Sequence, residues 1–157
     1  VRAGTSFDWP IHIGDVSGKS VYSADITVTF DPDVLTAISA STAGTRASSW
    51  GPPTTTVKRG KIIIAMGGIS ALSGSGSLVK IRFQVSNSAK EGTQTPVVFQ
   101  RFVFNEGTPA SVYKGGLFTI KDVTAPKIMA GPTVVGKTAS TATILWTTDE
   151  PSTGKIE

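Results

Sequence analysis

Apolar and polar residues alternate along most of this chain with a period of two, the signature of strands that bury one face. Phe7, Trp9, Ile11 and Ile13 interleave with Asp8, Pro10, His12 and Gly14. Pro10 cannot donate to a ladder, so this strand belongs at an edge or switches sheets. The cleanest alternation follows: Tyr22, Ala24, Ile26, Val28 and Phe30 point inward, and Ser23, Asp25, Thr27 and Thr29 outward. Asp31-Pro32-Asp33 stops that strand, because proline fixes its φ and the flanking carboxylates accept backbone N–H groups. Residues 34–40 resume as a strand, and residues 41–56 form a polar loop holding Trp50 and Gly51-Pro52-Pro53. A hairpin turns at Arg59-Gly60 into Ile62, Ile63, Ile64 and Met66, whose apolar run predicts a strand covered on both faces locally. After a Gly/Ser loop over 67–77, Val79, Ile81, Phe83 and Val85 alternate with Lys80, Arg82 and Gln84. In the strand over 96–104 the apolar parity slips near Gln100-Arg101, which predicts a bulge. Residues 110–113 and 117–120 flank Lys114-Gly115-Gly116 as a last hairpin. About nine short strands at this spacing predict a two-sheet β-sandwich.

Residues 122–126, Asp122-Val123-Thr124-Ala125-Pro126, read as a linker between this unit, residues 1–121, and a second β pattern over 127–157. That pattern has a strand at 127–129 and another at 142–147, with Ile144 and Trp146 on one face. Two strands cannot bury both of their faces. The tail is therefore expected to be an incomplete domain or a segment that docks on something else.

Composition agrees with an all-β chain and narrows its chemistry. Of 157 residues, 39% are hydrophobic and 17% charged, so a core is affordable while the surface is dressed with Ser, Thr, Gly and Asn. There is no cysteine, which removes disulfides, thiol nucleophiles and thiolate metal sites. No apolar run reaches the roughly 18 residues of a membrane span. Val1 opens directly on strand-like sequence, as a mature N-terminus does after signal removal, or as a mere boundary of the sequence does. The net charge is +4; residues 1–121 hold 12 basic and 7 acidic side chains, and the tail 3 and 4. The one tight basic group, Lys58, Arg59 and Lys61, sits at a turn without interleaved aromatics, so nucleic acid is not an expected partner.

Candidate reactive groups are sparse. Asp31 and Asp33 bracket a proline turn, Asp149 and Glu150 are adjacent in another, and neither pair converges as a metal site requires; no metal and no cofactor is expected. His12, the single histidine, has outward parity and no nucleophile placed beside it. The Gly67-Gly68 and Gly74-Ser75-Gly76 loop lacks the Lys-Ser/Thr ending of a phosphate cradle. Trp9 has core parity. Trp50, in its polar loop, either folds over the end of the sandwich or presents its ring to a sugar or partner, with Tyr113 as a second aromatic contact.

Three stretches, in order, carry a resemblance to cohesin domains: Phe30-Asp31-Pro32-Asp33-Val34-Leu35; the ten residues from Gly76 to Val85; and Phe104-Asn105-Glu106-Gly107 with Gly115-Gly116-Leu117-Phe118-Thr119-Ile120. The resemblance covers residues 1 to about 121; some carbohydrate-binding modules share the topology. It implies a nine-stranded two-sheet β-sandwich with jelly-roll-like topology and no catalytic role. The partner would be a dockerin-like domain, or copies of the chain itself. Recognition would use the sheet holding the third, fifth and sixth strands. The outward positions there are Thr36, Ile38 and Ala40; Lys61, Ile63 and Ala65; and Lys80, Arg82 and Gln84. They make a small apolar centre with a basic rim, and equally suit an ordinary solvated sheet. From Ala125-Pro126 onward, with Thr141-Ala142-Thr143-Ile144-Leu145-Trp146-Thr147 as a second strand, the tail resembles the start of fibronectin type III-like domains. That pairing implies a secreted or cell-surface protein. Two other functions stay open: a filament or layer subunit assembled by strand donation from the tail, and a polysaccharide-binding module built on Trp50.

Overall fold

The structure is a computed structural model, and it describes residues 1–121, 126–149 and Ser152. The chain divides into two compact units, Val1–Asp122 and Val123–Glu157.

The first unit contains eight strands in two antiparallel sheets. The small sheet has the order β1 (Ser6–Ile13), β6 (Gly76–Val85), β3 (Leu35–Ser41). The large sheet has the order β4 (Thr54–Lys58), β5 (Lys61–Gly67), β2 (Ser23–Thr29), β7 (Gln94–Phe104), β8 (Gly116–Thr119). The expected ninth strand, at 110–113, is absent. That segment runs irregularly, and β8 pairs instead with the start of β7, Pro96 opposite Leu117. Pro10 lies on β1, an edge strand, where its missing N–H leaves little to lose.

The inner faces interdigitate as the alternation requires. Ala24, Ile26 and Val28 of β2 and Ile62, Ile64 and Met66 of β5 meet Ile81, Phe83 and Val85 of β6, all buried. Aromatic rings bridge the sheets: Phe30 meets Phe83 edge-on at 5.0 Å, and Phe7 stacks on Phe118 at 4.9 Å. Such pairs add stabilisation beyond the area they bury.

Two bulges set which residues face outward. In β7, Arg101 pairs with Thr27 and Phe99 with Val28, so Gln100 is the extra residue, where the parity slip predicts it. In β3, Ala37 pairs with Phe83 and Ser39 with Arg82, so Ile38 is extra. This second bulge is invisible in the hydrophobic pattern and reverses the parity after it.

The turns use the chemistry their residues announce. Asp31 Oδ1 accepts the Asp33 N–H at 2.9 Å, and the Asp31 carbonyl accepts from Leu35 at 2.9 Å. Gly60 closes the β4–β5 hairpin at φ +72°, with the Phe30 carbonyl 3.1 Å from where a Cβ would sit. The Gly/Ser loop at 67–77 is pinned by buried Leu72, whose N–H donates to the Val21 carbonyl at 2.8 Å.

Among the described residues the second unit holds an antiparallel hairpin, β9 (Ile128–Lys137) and β10 (Ala142–Thr148). Every residue of β9 is exposed, and Ile144 and Trp146 are only half-buried. The linker residues 122–125 and the Glu150-Pro151 turn lie outside the described residues.

Candidate functional site

The nine positions expected to form one recognition surface do not share a face. β3 and β6 belong to the small sheet and β5 to the large one, so Lys61, Ile63 and Ala65 look out on the opposite side of the sandwich from the rest. Ala40 does not look out at all. The Ile38 bulge places it opposite Ile81, packed against the core, and Ser39 and Ser41 take the outer positions beside Arg82 and Lys80.

The outer face of the small sheet is polar and bonded to itself. Arg82 Nη1 meets Asp8 Oδ1 at 3.1 Å, Ser6 Oγ donates to Gln84 Oε1 at 2.6 Å, and Lys80 Nζ donates to the Ala43 carbonyl at 3.2 Å. Thr36 and Ile38 are exposed at its margin. These cross-strand partners occupy the groups that a basic rim would offer to another molecule.

The outer face of the large sheet has the opposite character. Strand register lays it out in three rows. Thr54, Ala65, Asp25 and Val103 form the first; Thr56, Ile63, Thr27 and Arg101 the second; Lys58, Lys61, Thr29 and Val98 the third. Ile63 sits at the centre and is 37% exposed. The apolar run Ile62-Ile63-Ile64 predicts cover on both faces; Ile62 and Ile64 have it and Ile63 does not. Beside Ile63 on this face are Thr56 and Thr27 across the strands and Ala65 and Lys61 along its own. Among the described residues, one side-chain hydrogen bond ties this face down, from Thr29 Oγ1 to the Val98 carbonyl at 3.4 Å. Beside it the β7 bulge and the segment after β7 enclose a depression of about 600 Å³, bordered by Thr27, Gln100, Arg101, Val103, Gly107 and Tyr113.

The aromatic candidates are engaged elsewhere. Trp50 is half-buried, packs against the core and donates Nε1–H to the Ser70 carbonyl at 2.8 Å. Its ring lies so close over Gly68 that any side chain there would displace it. Tyr113 stands edge-on to Phe99 at 5.9 Å and is 45% exposed. Neither ring lies flat and open as a sugar platform does.

His12 lines a slot of about 390 Å³, floored by Phe99, Phe102 and Phe104, which Asp15 and Ser111 also border. The three do not form a relay. Ser111 Oγ donates to the Phe102 carbonyl, and Asp15 Oδ1 accepts the Ser17 N–H at 2.9 Å. The Ser17 hydroxyl and N–H, aided by Lys19 and Arg46, hold the Asp15 carboxyl below its ordinary value. Asp31 and Asp33 serve their turn, and Asp33 also pairs with Arg59 at 2.5 Å. Among the described residues no three His, Asp or Glu side chains gather as metal ligands, and no helix is long and apolar enough to cross a membrane.

A two-sheet antiparallel arrangement of these strands, with aromatic rings bridging the layers, places the chain in the class of all-β sandwich modules. The chain belongs to the cohesin domain family, whose model matches residues 1–115. Solved structures agree on the fold. The sixth cohesin of Acetivibrio cellulolyticus scaffoldin B, in complex with a Cel5 dockerin mutant, superposes with a TM-score of 0.68 at 18% identity, over 77% of this chain and 92% of that one. The non-cellulosomal cohesin of the hyperthermophilic archaeon Archaeoglobus fulgidus gives 0.61 at 19% identity, over 77% and 84%. The Coh-OlpA–Doc918 complex from Clostridium thermocellum, described as a type I cohesin–dockerin complex, gives 0.56 at 20%, over 77% and 86%. A search of curated protein sequences returned no match.

Proposed function

We propose that residues 1–121 are a non-catalytic protein-docking module of a secreted or cell-surface protein, taking a dockerin-type partner on the outer face of the large sheet. The exposure of Ile63 carries this reading. It is a β-branched apolar residue at the centre of the sheet, between Thr56 and Thr27, on a face whose side chains are almost unbonded. A partner would supply the cover that the Ile62-Ile63-Ile64 run anticipates, as the apolar centre of an interface does. Several of the structurally similar cohesins are themselves in complex with dockerins, which adds support.

The test is calorimetry of the whole chain with purified dockerin domains. Ile63→Asp should weaken binding by about a hundredfold, the scale of a central apolar anchor, while the chain stays folded at the assay temperature with a midpoint lowered only by the poorer strand propensity of Asp. Arg82→Glu, on the other sheet, should leave affinity within about twofold. Loss of binding in Arg82→Glu with none in Ile63→Asp would place docking on the small sheet instead.

The tail supports a second reading. Ile128, Met129, Val134, Val135 and Leu145 are all exposed on this hairpin, and a two-stranded hairpin is marginal in water by itself. We read it as the first strands of a fibronectin type III-like domain, or else as a segment that completes a neighbour's sheet in a filament or layer. If a chain shortened to residues 1–121 sediments and assembles as residues 1–157 do, strand donation is wrong.

A further inference from the structure

We infer that the partner presents an acidic contact surface to this face, oriented by a charge gradient along the strands. The inference rests on the docking reading above and specifies its chemistry. The face carries Lys58 and Lys61 in one outer row, Arg101 in the middle row and Asp25 in the opposite outer row. Three cations therefore stand against one carboxylate, and the carboxylate is at the far end from the lysines. Among the described residues none of the four makes a side-chain hydrogen bond or ion pair within the chain.

The contrast with neighbouring cations gives this weight. Arg59, one residue from Lys58, is neutralised by Asp33 at the hairpin end, and Arg82 on the other sheet is paired with Asp8. These two neighbours off the docking face each have a carboxylate partner, and the three cations on it have none among the described residues. Arg101 also borders the depression of about 600 Å³ beside the β7 bulge. A partner carboxylate reaching Arg101 there would gain a bidentate partner at the rim of the Ile63 patch.

A second copy is a poor occupant. Two such faces brought together would set six cations against two carboxylates, and like charges across an interface oppose association. An acidic partner, docked with its most acidic end over Lys58 and Lys61 and a cation near Asp25, matches both the sign and the direction of the gradient.

The test uses the full chain and a panel of purified dockerin domains whose contact surfaces run from strongly acidic to strongly basic. Binding is followed by calorimetry at low and high salt, with sedimentation of the chain alone. Acidic members should bind and basic members should not, and affinity for the acidic members should fall roughly tenfold or more as salt screens the rim. The Lys58→Glu/Lys61→Glu pair should weaken acidic members roughly tenfold, mainly through association rate. Preference for basic members, or indifference to the lysine pair while Ile63→Asp still abolishes binding, would overturn the acidic partner and leave the docking face standing. Indifference to Ile63→Asp and to the lysine pair, or no binding by any member, would remove the docking face and this inference with it. Self-association of the chain abolished by Ile63→Asp would assign the face to a second copy and overturn the inference as well.

Discussion

Phe83→Ala should lower the unfolding free energy of the sandwich by about 3–5 kcal/mol. Phe83 lies on the central strand of the small sheet and is fully buried. Its ring lies 5.8 Å from Phe7, 6.3 Å from Trp9 and 5.0 Å from Phe30, so it touches two aromatics of the neighbouring strand β1 and one just past the end of β2. Strands held by ladders on both sides cannot collapse into the space, so the cavity term adds to the lost transfer energy. Domains of this size typically have only about 5–15 kcal/mol in total. Urea unfolding followed by tryptophan fluorescence should show a lower midpoint at unchanged slope. A shift worth less than about 1 kcal/mol would mean the core closes around the gap, contrary to the packing described.

The second large effect is expected at Asn105, just after β7. Its Oδ1 accepts the N–H of Tyr22 at 2.8 Å and of Ser23 at 3.1 Å, and its Nδ2 donates to the Ser20 carbonyl at 2.7 Å. The residue itself stands at φ +42°, followed by Glu106 at +62°, a region that asparagine tolerates better than most side chains. One amide thus fixes where β2 begins relative to where β7 ends. Asn105→Ala should cost about 2–3 kcal/mol, from three bonds worth about 1 kcal/mol each with part recovered by water. Asn105→Gly relieves the backbone yet also loses the bonds, so it should recover only about 0.5–1 kcal/mol of that. If glycine restores full stability in chemical denaturation, backbone conformation and not the three bonds explains the site.

Most of the fold is legible in the sequence because each sandwich strand buries one face. The outward set Ser23, Asp25, Thr27 and Thr29, the Arg59-Gly60 hairpin and the Gln100 bulge follow from parity and turn chemistry alone. What parity does not carry is strand order, which depends on contacts between residues far apart in the chain. Placing β5 beside β6 is natural for consecutive strands, yet β5 pairs with β2 and β4, and β6 with β1 and β3. The candidate face therefore came apart: Lys61, Ile63 and Ala65 kept their outward position, while their companions are Asp25, Thr27 and Arg101 rather than Thr36 and Arg82. Asp25 and Thr27 are outward residues in the alternation, and Arg101 lies at the parity slip of β7; their neighbours across the sheet are not in the pattern. Ala40 failed for a local reason, since a bulge at an apolar residue such as Ile38 leaves the hydrophobic pattern looking continuous. The 110–113 segment makes no ladder: Ala110 and Val112 are exposed, and Tyr113 meets Phe99 edge-on instead.

The small sheet's two margins have one more consequence. β1 lacks a donor at Pro10, and β3 buckles at Ile38, so each open ladder is interrupted near its middle. An incoming strand could make only two or three consecutive bonds before meeting a gap. The margins of the small sheet therefore resist zipping edge to edge into fibrils when copies are crowded together.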